Sequence, residues 1–397
     1  MNHRMKPMIA AAALSTLIAT SAMALHWTGD ARRAEAIQEL IFSLQAAREA
    51  DPVLREAPYG ETQEGSAWDH YALAIECVSG IEDHRDRCMA LVEAKTNEER
   101  AEAKELLKEA GPLFDHLKRG AHARNATRPI DWDAHLAARI VKLTHCRAMG
   151  QLVQAHAYQL IVAGRSVEAA HAMLDMQQFA VDLMMSPSLI EEMIGCAVVA
   201  PRQFRCEPAP GSPAMSEEGK RTWLDGVRKL KASLPTQGRS FDGELELLAR
   251  YLQDDQGRTE EQWDDESPGW RYGFSWETAA AEYALELSEK APAYRAALGS
   301  PDGLAALEQL ENEYGSSPNP AAARLSCKYR SAAISRREAL MRLGLVEHGL
   351  ALEIGVSSTP PTHPLGHPVT AEVAEPSVRV GTQAPGGHYR FLFELLH

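Results

Sequence analysis

The residues best suited to chemistry crowd into one stretch of the chain. Between Asp254 and Glu277 stand Asp254, Asp255, Glu260, Glu261, Asp264, Asp265 and Glu266, interleaved with Trp263, Trp270, Tyr272, Phe274 and Trp276. Three of the seven tryptophans fall there within fourteen residues, a density that composition alone does not give. Aromatic faces beside carboxylates are what sugar-binding clefts use, and a pair of carboxylates runs glycoside hydrolysis. Trp263, Trp270, Trp276, Asp264 and Asp265 are therefore the candidate ligand-binding residues, with a glycan as the ligand. The competing reading is an acidic, solvated loop whose tryptophans pack on neighbouring helices. No D-x-[DN]-x-[DN]-G order supports a calcium loop.

The histidines suggest a metal less strongly. His145 and His156 share a helix face, but eleven residues at 1.5 Å rise put them roughly 16 Å apart. A single ion with ligand distances near 2 Å does not bridge that gap. His156 and His171 face each other across a turn at Gly164, yet two ligands do not make a site. In the tail, Pro and Gly separate His363, His367, His388 and His397, against a helical i,i+4 pair. No metal and no cofactor is expected. No G-x-S-x-G, H-E-x-x-H, Walker A or G-x-G-x-x-G order occurs, so the usual sequence support for acyl hydrolases, zincins and nucleotide-binding enzymes is missing. The balance points away from an enzyme, and no catalytic residue is assigned.

Six cysteines remain for pairing: Cys77, Cys88, Cys146, Cys196, Cys206 and Cys327. An even count suits an oxidising compartment. Local spacing makes Cys77–Cys88 and Cys196–Cys206 the disulfide candidates, with buried free thiols as the alternative. The N-terminus supplies the compartment. Arg4 and Lys6 precede an apolar run from Ile9 to Ala24, which ends in Ala22-Met23-Ala24. A basic start, a short apolar run and a small-x-small site make a secretory signal. Cleavage is expected after Ala24, and the run is too short and too Ala-rich to anchor. The expected location is the periplasm or the exterior of a bacterium, by a Sec-type signal over 1–24.

The formal charge is −14, and removing Arg4 and Lys6 with the signal makes the remainder more acidic still. An acidic surface repels nucleic acid and anionic lipid, which excludes both as partners. Ala and Leu outweigh the β-branched and aromatic residues, which favours helix over sheet.

Helical spacing of apolar residues, with Gly and Pro at the breaks, sets the elements. Helices are expected over Ala31–Asp51, Trp68–Val78, Asp83–Glu93, Asn97–Ala110, Pro112–His122 and Asp133–Ala163. Three more follow over Val167–Met185, Leu189–Val199 and Glu218–Leu234. The remainder are Asp242–Gln253, Trp276–Lys290, Leu304–Tyr314 and a long helix over Pro320–Ile354. Val378–Val380 and Tyr389–Phe393 alternate like two short strands. The fold class is mainly α, an irregular helical-hairpin array with a small C-terminal β-hairpin. The divisions are a signal over 1–24, helical domains over 25–201 and 202–355, and a Pro-rich tail over 356–397.

The run AYQLIVAGRSVEAAHAMLDMQQFAVDLMMSPSLIEEMIGCAV, residues 157–198, resembles a segment of uncharacterised exported bacterial proteins. These share a helix, a Gly turn, a second helix and a short helix opening on P-x-L-I. The segment is also similar to tetratricopeptide hairpins, with Gly164 at the turn and Ala169 or Ala170 at the close contact. No second copy in register is found, so an irregular array is expected rather than a true repeat. The resemblance implies fold and export and carries no activity. The favoured function is an exported, non-enzymatic scaffold or protein-interaction module of the cell envelope, with an envelope protein or peptide as partner. The alternative is a glycan-binding or carbohydrate-active protein using 254–277.

Overall fold

The computed structural model describes residues 32–81, 87, 97–132, 141–199, 214–234, 238–253, 276–300, 302–317, 319, 322, 329–362, 369–374, 377–383 and 389–396. For 97–101, 103, 251–253, 276–278 and 369–396 the backbone alone is described. The signal segment, the expected helix over Asp83–Glu93 and the tail histidines lie outside these residues.

The chain is mainly α-helical, as its composition requires. Helix α1 covers 32–50. A short strand β1, Gln63–Ser66, leads into α2, Ala67–Ser79; α3, Asn97–Glu109, and α4, Gly111–His122, follow, then strand β2, Ala123–Asn125. The next helices are α5, Leu143–Val162, α6, Ser166–Met184, α7, Leu189–Val198, α8, Glu217–Ser233, and α9, Arg239–Gln253. Helices α10, Trp276–Gly299, α11, Leu304–Gly315, and α12, Tyr329–Glu353, complete the body. Strands β3, Val369–Ala374, β4, Ser377–Gln383, and β5, Tyr389–Leu396, end the chain.

Most helix boundaries follow the expected punctuation. Gly164 sits at φ +77°, a left-handed conformation that glycine adopts without cost. There the N–H of Arg165 donates to the Leu160 carbonyl and that of Gly164 to Ile161, so the last carbonyls of α5 are satisfied by a Schellman turn. Ser216 caps α8 by accepting from the Gly219 N–H.

The Ser166 hydroxyl accepts from the Ser216 N–H and ties α6 to the start of α8. Strands β1 and β2 pair in parallel, with Gln63 opposite Ala123. Two expectations are corrected. Helix α10 does not stop at Lys290 but runs through Pro292 to Gly299. The C-terminal hairpin is a three-stranded antiparallel sheet with β4 in the centre, Val369 opposite Thr382 and Ser377 opposite Leu396. The added strand β3 alternates only weakly, which hides it in the sequence.

The organising element is α6. It packs against α4, α5, α7 and α8. Every residue from Met173 to Met184 is buried, so this helix has no solvent face. A larger apolar cluster runs from Val53 to Ala351 and takes residues from both sides of residue 201; a second surrounds Phe241, Tyr283, Tyr294 and Tyr314. Completely burying a side chain such as Phe179 or Leu174 stabilises the fold by about 1.5–3 kcal/mol. Close crossings need glycine. A Cβ on Gly195 of α7 would lie 2.5 Å from the Ala180 carbonyl oxygen and 2.7 Å from the Met184 nitrogen. Among the described residues no helix is long and apolar enough to cross a membrane.

The α6–α7 crossing gives the first prediction. Gly195→Ala forces the two backbones apart and should lower the unfolding free energy by about 1–3 kcal/mol. Urea unfolding followed by circular dichroism measures it; an unchanged midpoint would show that the helices do not cross so closely.

Candidate functional site

An all-round buried helix is normally apolar. Helix α6 instead carries Asp175, Gln177, Gln178 and Asp182 inside the core, and α7 adds Glu191 and Glu192. Each of these acids demands partners, because an unpaired buried charge costs several kcal/mol.

Asp182 is saturated. Arg55, from the loop after α1, donates through Nε to Oδ1 at 2.8 Å and through Nη2 to Oδ2 at 2.6 Å. Tyr71 of α2 donates its hydroxyl to Oδ2 at 2.7 Å, and Gln178 donates to Oδ1 at 2.8 Å. The remaining Arg55 donors reach the Ala121 and Gly120 carbonyls at 2.7 and 2.9 Å, so the same guanidinium closes the C-terminal end of α4. Tyr71 reaches this position because residue 120 is glycine; a Cβ there would overlap the Tyr71 ring. The adjoining Asp182 charge holds the Arg55 guanidinium above its ordinary range despite burial, and burial pushes the Tyr71 phenol up.

The acids of α7 are met in the same way. Glu191 accepts from Arg128 Nη2 at 3.0 Å, from the Ser186 hydroxyl at 2.7 Å and from the Val141 N–H at 3.1 Å. Arg128 in turn lies over the Trp68 ring, 4.4 Å from its centroid. Glu192 accepts from the Ser240 hydroxyl and from Arg336 of α12 at 2.9 Å. Both oxygens of each of these carboxylates are engaged by protein donors.

A cavity of about 930 Å³ lies elsewhere, on the α5–α7–α12 side of the body. Its lining follows helical periodicity on the α5 and α12 walls. On α5 it falls at 143, 146–147, 150–151 and 154; on α7 at 190, 193–194 and 196–198; on α12 at 335, 338 and 342. The floor includes the buried thiols of Cys146 and Cys196, and the rim includes Ile190 and Met193, 52% and 41% exposed. Arg147 stands exposed at the same rim.

The sequence candidates distribute unevenly over this frame. Trp263, Trp270, Asp264 and Asp265 lie outside the described residues, and Trp276 opens α10 without a described side chain. Ala24 and its cleavage site also lie outside. Cys77 and Cys196 carry free thiols, so the expected Cys77–Cys88 and Cys196–Cys206 bridges are not formed; Cys88 and Cys206 themselves fall outside the described residues. Cys196 is 3% exposed within the apolar cluster, and Cys77 packs against the same cluster. His156 and His171 do not meet across Gly164. His156 stacks on Phe114 with centroids 4.2 Å apart, and His171 stacks on Tyr59 at 3.7 Å. Among the described residues no group of three or more His, Cys, Asp or Glu side chains could hold a metal. The groups that sequence reasoning missed are Arg55, Tyr59, Tyr71 and Asp182. The one available signal was two aspartates seven residues apart in an otherwise apolar helix.

Two outcomes test this arrangement. Asp182→Ala should cost about 3–5 kcal/mol, because it strands a buried guanidinium, while the double change Arg55→Met with Asp182→Leu should cost much less. Equal losses in urea melts would mean that the pair is not buried as described. Burial also pushes the Cys146 thiol up to about 12 and the Cys196 thiol above its ordinary range. Iodoacetamide at pH 8 should therefore modify both only after unfolding, as read by intact mass, since the thiolate is the nucleophile.

No family model matches the chain, and neither a curated protein nor a solved structure is detectably similar to it.

Proposed function

We propose that the protein is an exported, non-enzymatic binding scaffold of the bacterial cell envelope, which receives a short amphipathic helix of a partner protein between α5, α7 and α12. The observation that carries this reading is the trough itself. Its α5 and α12 walls are helical stripes at three- and four-residue spacing, the pattern by which one helix meets another, and α7 closes the third side. The α5 stripe spans 143–154, about 17 Å of helix, which matches three turns of a partner. Helix-in-groove recognition uses apolar anchors at i, i+3, i+4 and i+7.

The chemistry of the lining supports a protein rather than a sugar. Ile190, Met193, Ile194 and Val198 offer an apolar bed, and a thioether adapts to irregular anchors. Among the described residues Arg147 makes no ion pair, so an acidic residue on the partner would complement it. The non-enzymatic part rests on the engagement of Asp182, Glu191 and Glu192 by protein groups. Export rests on Arg4, Lys6, the apolar run and Ala22-Met23-Ala24.

Benzoylphenylalanine in place of Met193, in the full chain expressed in a bacterial envelope, tests the trough. Irradiation should give one discrete protein adduct. Ile190→Lys should abolish it, and Phe42→Lys, an exposed change on α1, should leave it intact. Adducts indifferent to Ile190→Lys, or none at all with folded protein, would overturn the proposal.

A further inference from the structure

The first half of the loop 51–62 is fastened by the Arg55 side chain and by backbone bonds of Val53 and Arg55 with Ala126 and Arg124. Its second half is fastened by Tyr59, whose hydroxyl lies 2.8 and 2.9 Å from the two carboxyl oxygens of Asp175 on α6. The Tyr59 ring lies flat on the His171 imidazole, with centroids 3.7 Å apart and 1° between the planes. It meets the His122 ring edge-on at 4.5 Å and 81°. Gly60 follows at φ +61°, and the turn sets the Glu61 carbonyl 3.1 Å from His122 Nδ1.

That last contact fixes a proton. A carbonyl oxygen only accepts, so Nδ1 carries the hydrogen. In the neutral ring Nε2 is then a bare acceptor. It is buried without a hydrogen-bond partner, 4.0 Å from Asp175 Oδ1, and both side chains are 8% exposed. Two buried acceptors face each other at more than hydrogen-bond distance, and a proton on the carboxyl group or on Nε2 relieves the opposition.

We propose that this proton is a latch: while the Asp175–His122 pair holds it, Tyr59 stays clasped against α6 and α4, and when the pair loses it the second half of the loop, 57–62, is released while Arg55 holds the first. The surroundings set the range. Lys118 and His122 face the cluster from α4, His171 and Glu168 from α6, Arg55 and Tyr59 from the loop, and Tyr71 from α2. Burial dominates and raises Asp175 to about 8, against the opposing pull of the Tyr59 hydroxyl, Lys118 and Arg55. Burial also lowers His122 and His171.

The signs follow. Asp175 binds its proton more tightly in the closed loop, so its contribution to closure is full at low pH and is lost as pH rises to about 8. The two histidines act in the opposite sense, and only below the ordinary imidazole value of about 6.5. Closure is therefore firmest near pH 6.5. Above it the open fraction grows tenfold per pH unit, about 30-fold in all, and levels off near pH 8.

Amide hydrogen exchange on the full-length protein from pH 5.5 to 9 reads this directly, with each rate divided by its intrinsic rate. Amides in 57–62 should show the 30-fold rise and the plateau, and those of α9 should not follow it. Asp175→Asn, which mimics the protonated carboxyl group, should flatten the rise above pH 6.5. His122→Gln offers Asp175 an N–H donor and should move the plateau to lower pH, and it serves if the first variant does not fold. A wild-type loop equally protected at pH 6.5 and 8, a rise unchanged in both variants, or the same rise in α9 would overturn the latch.

Discussion

The contact between Arg55 and Asp182 holds three separate parts of the molecule in one place. It fixes the loop after α1, closes the end of α4 and draws Tyr71 of α2 onto the same carboxylate. Desolvating two charges costs more than their attraction returns unless the remaining donors and acceptors are also met. Here they are, by two backbone carbonyls, a phenol and an amide. The pair therefore dictates geometry more than it adds stability. Any rearrangement of α2, α4 or α6 would have to break several of these bonds together.

Polar groups in α6 and α7 divide the interior into two regions. Asp175 and Asp182 point to α2, α4 and the 51–62 loop, whereas Glu191 and Glu192 point to Arg128, Ser240 and Arg336. The face of α7 that turns away from these acids is left with Ile190, Met193 and Ala197, and forms a wall of the trough. Helix α7 is thus acidic inside and apolar outside. A local sequence with two adjacent glutamates would ordinarily be assigned the reverse orientation.

This inversion marks where sequence reasoning reaches and where it fails. Helix positions were legible because Gly164, Ser216 and Gly355 act locally, through backbone freedom and capping. The class of the fold was legible from Ala and Leu content. The burial of α6 was not, because its apolar residues and its acids alternate without a clean face, and only the partners reveal which acids are inside. Those partners come from far along the chain: Arg55 is 127 residues from Asp182, and Arg336 is 144 residues from Glu192. Cysteine parity misled for a related reason. Cys196 satisfies a packing requirement in the core, and its burial says nothing about redox pairing. The latch at Tyr59 was equally hidden, since a tyrosine, an aspartate and two histidines in separate elements carry no shared spacing.

The long separations have a kinetic side. Helical proteins usually form from local contacts and assemble fast. In this chain the central helix carries acids that become tolerable in the interior only once their distant cations arrive, and closing such loops costs entropy before any contact rewards it. During synthesis Arg55 emerges before Asp182, but Arg336 emerges long after Glu192. Glu192 must therefore stay solvated until nearly the whole helical body has been synthesised, which makes the α6–α7–α12 interior one of the last parts of the molecule to close.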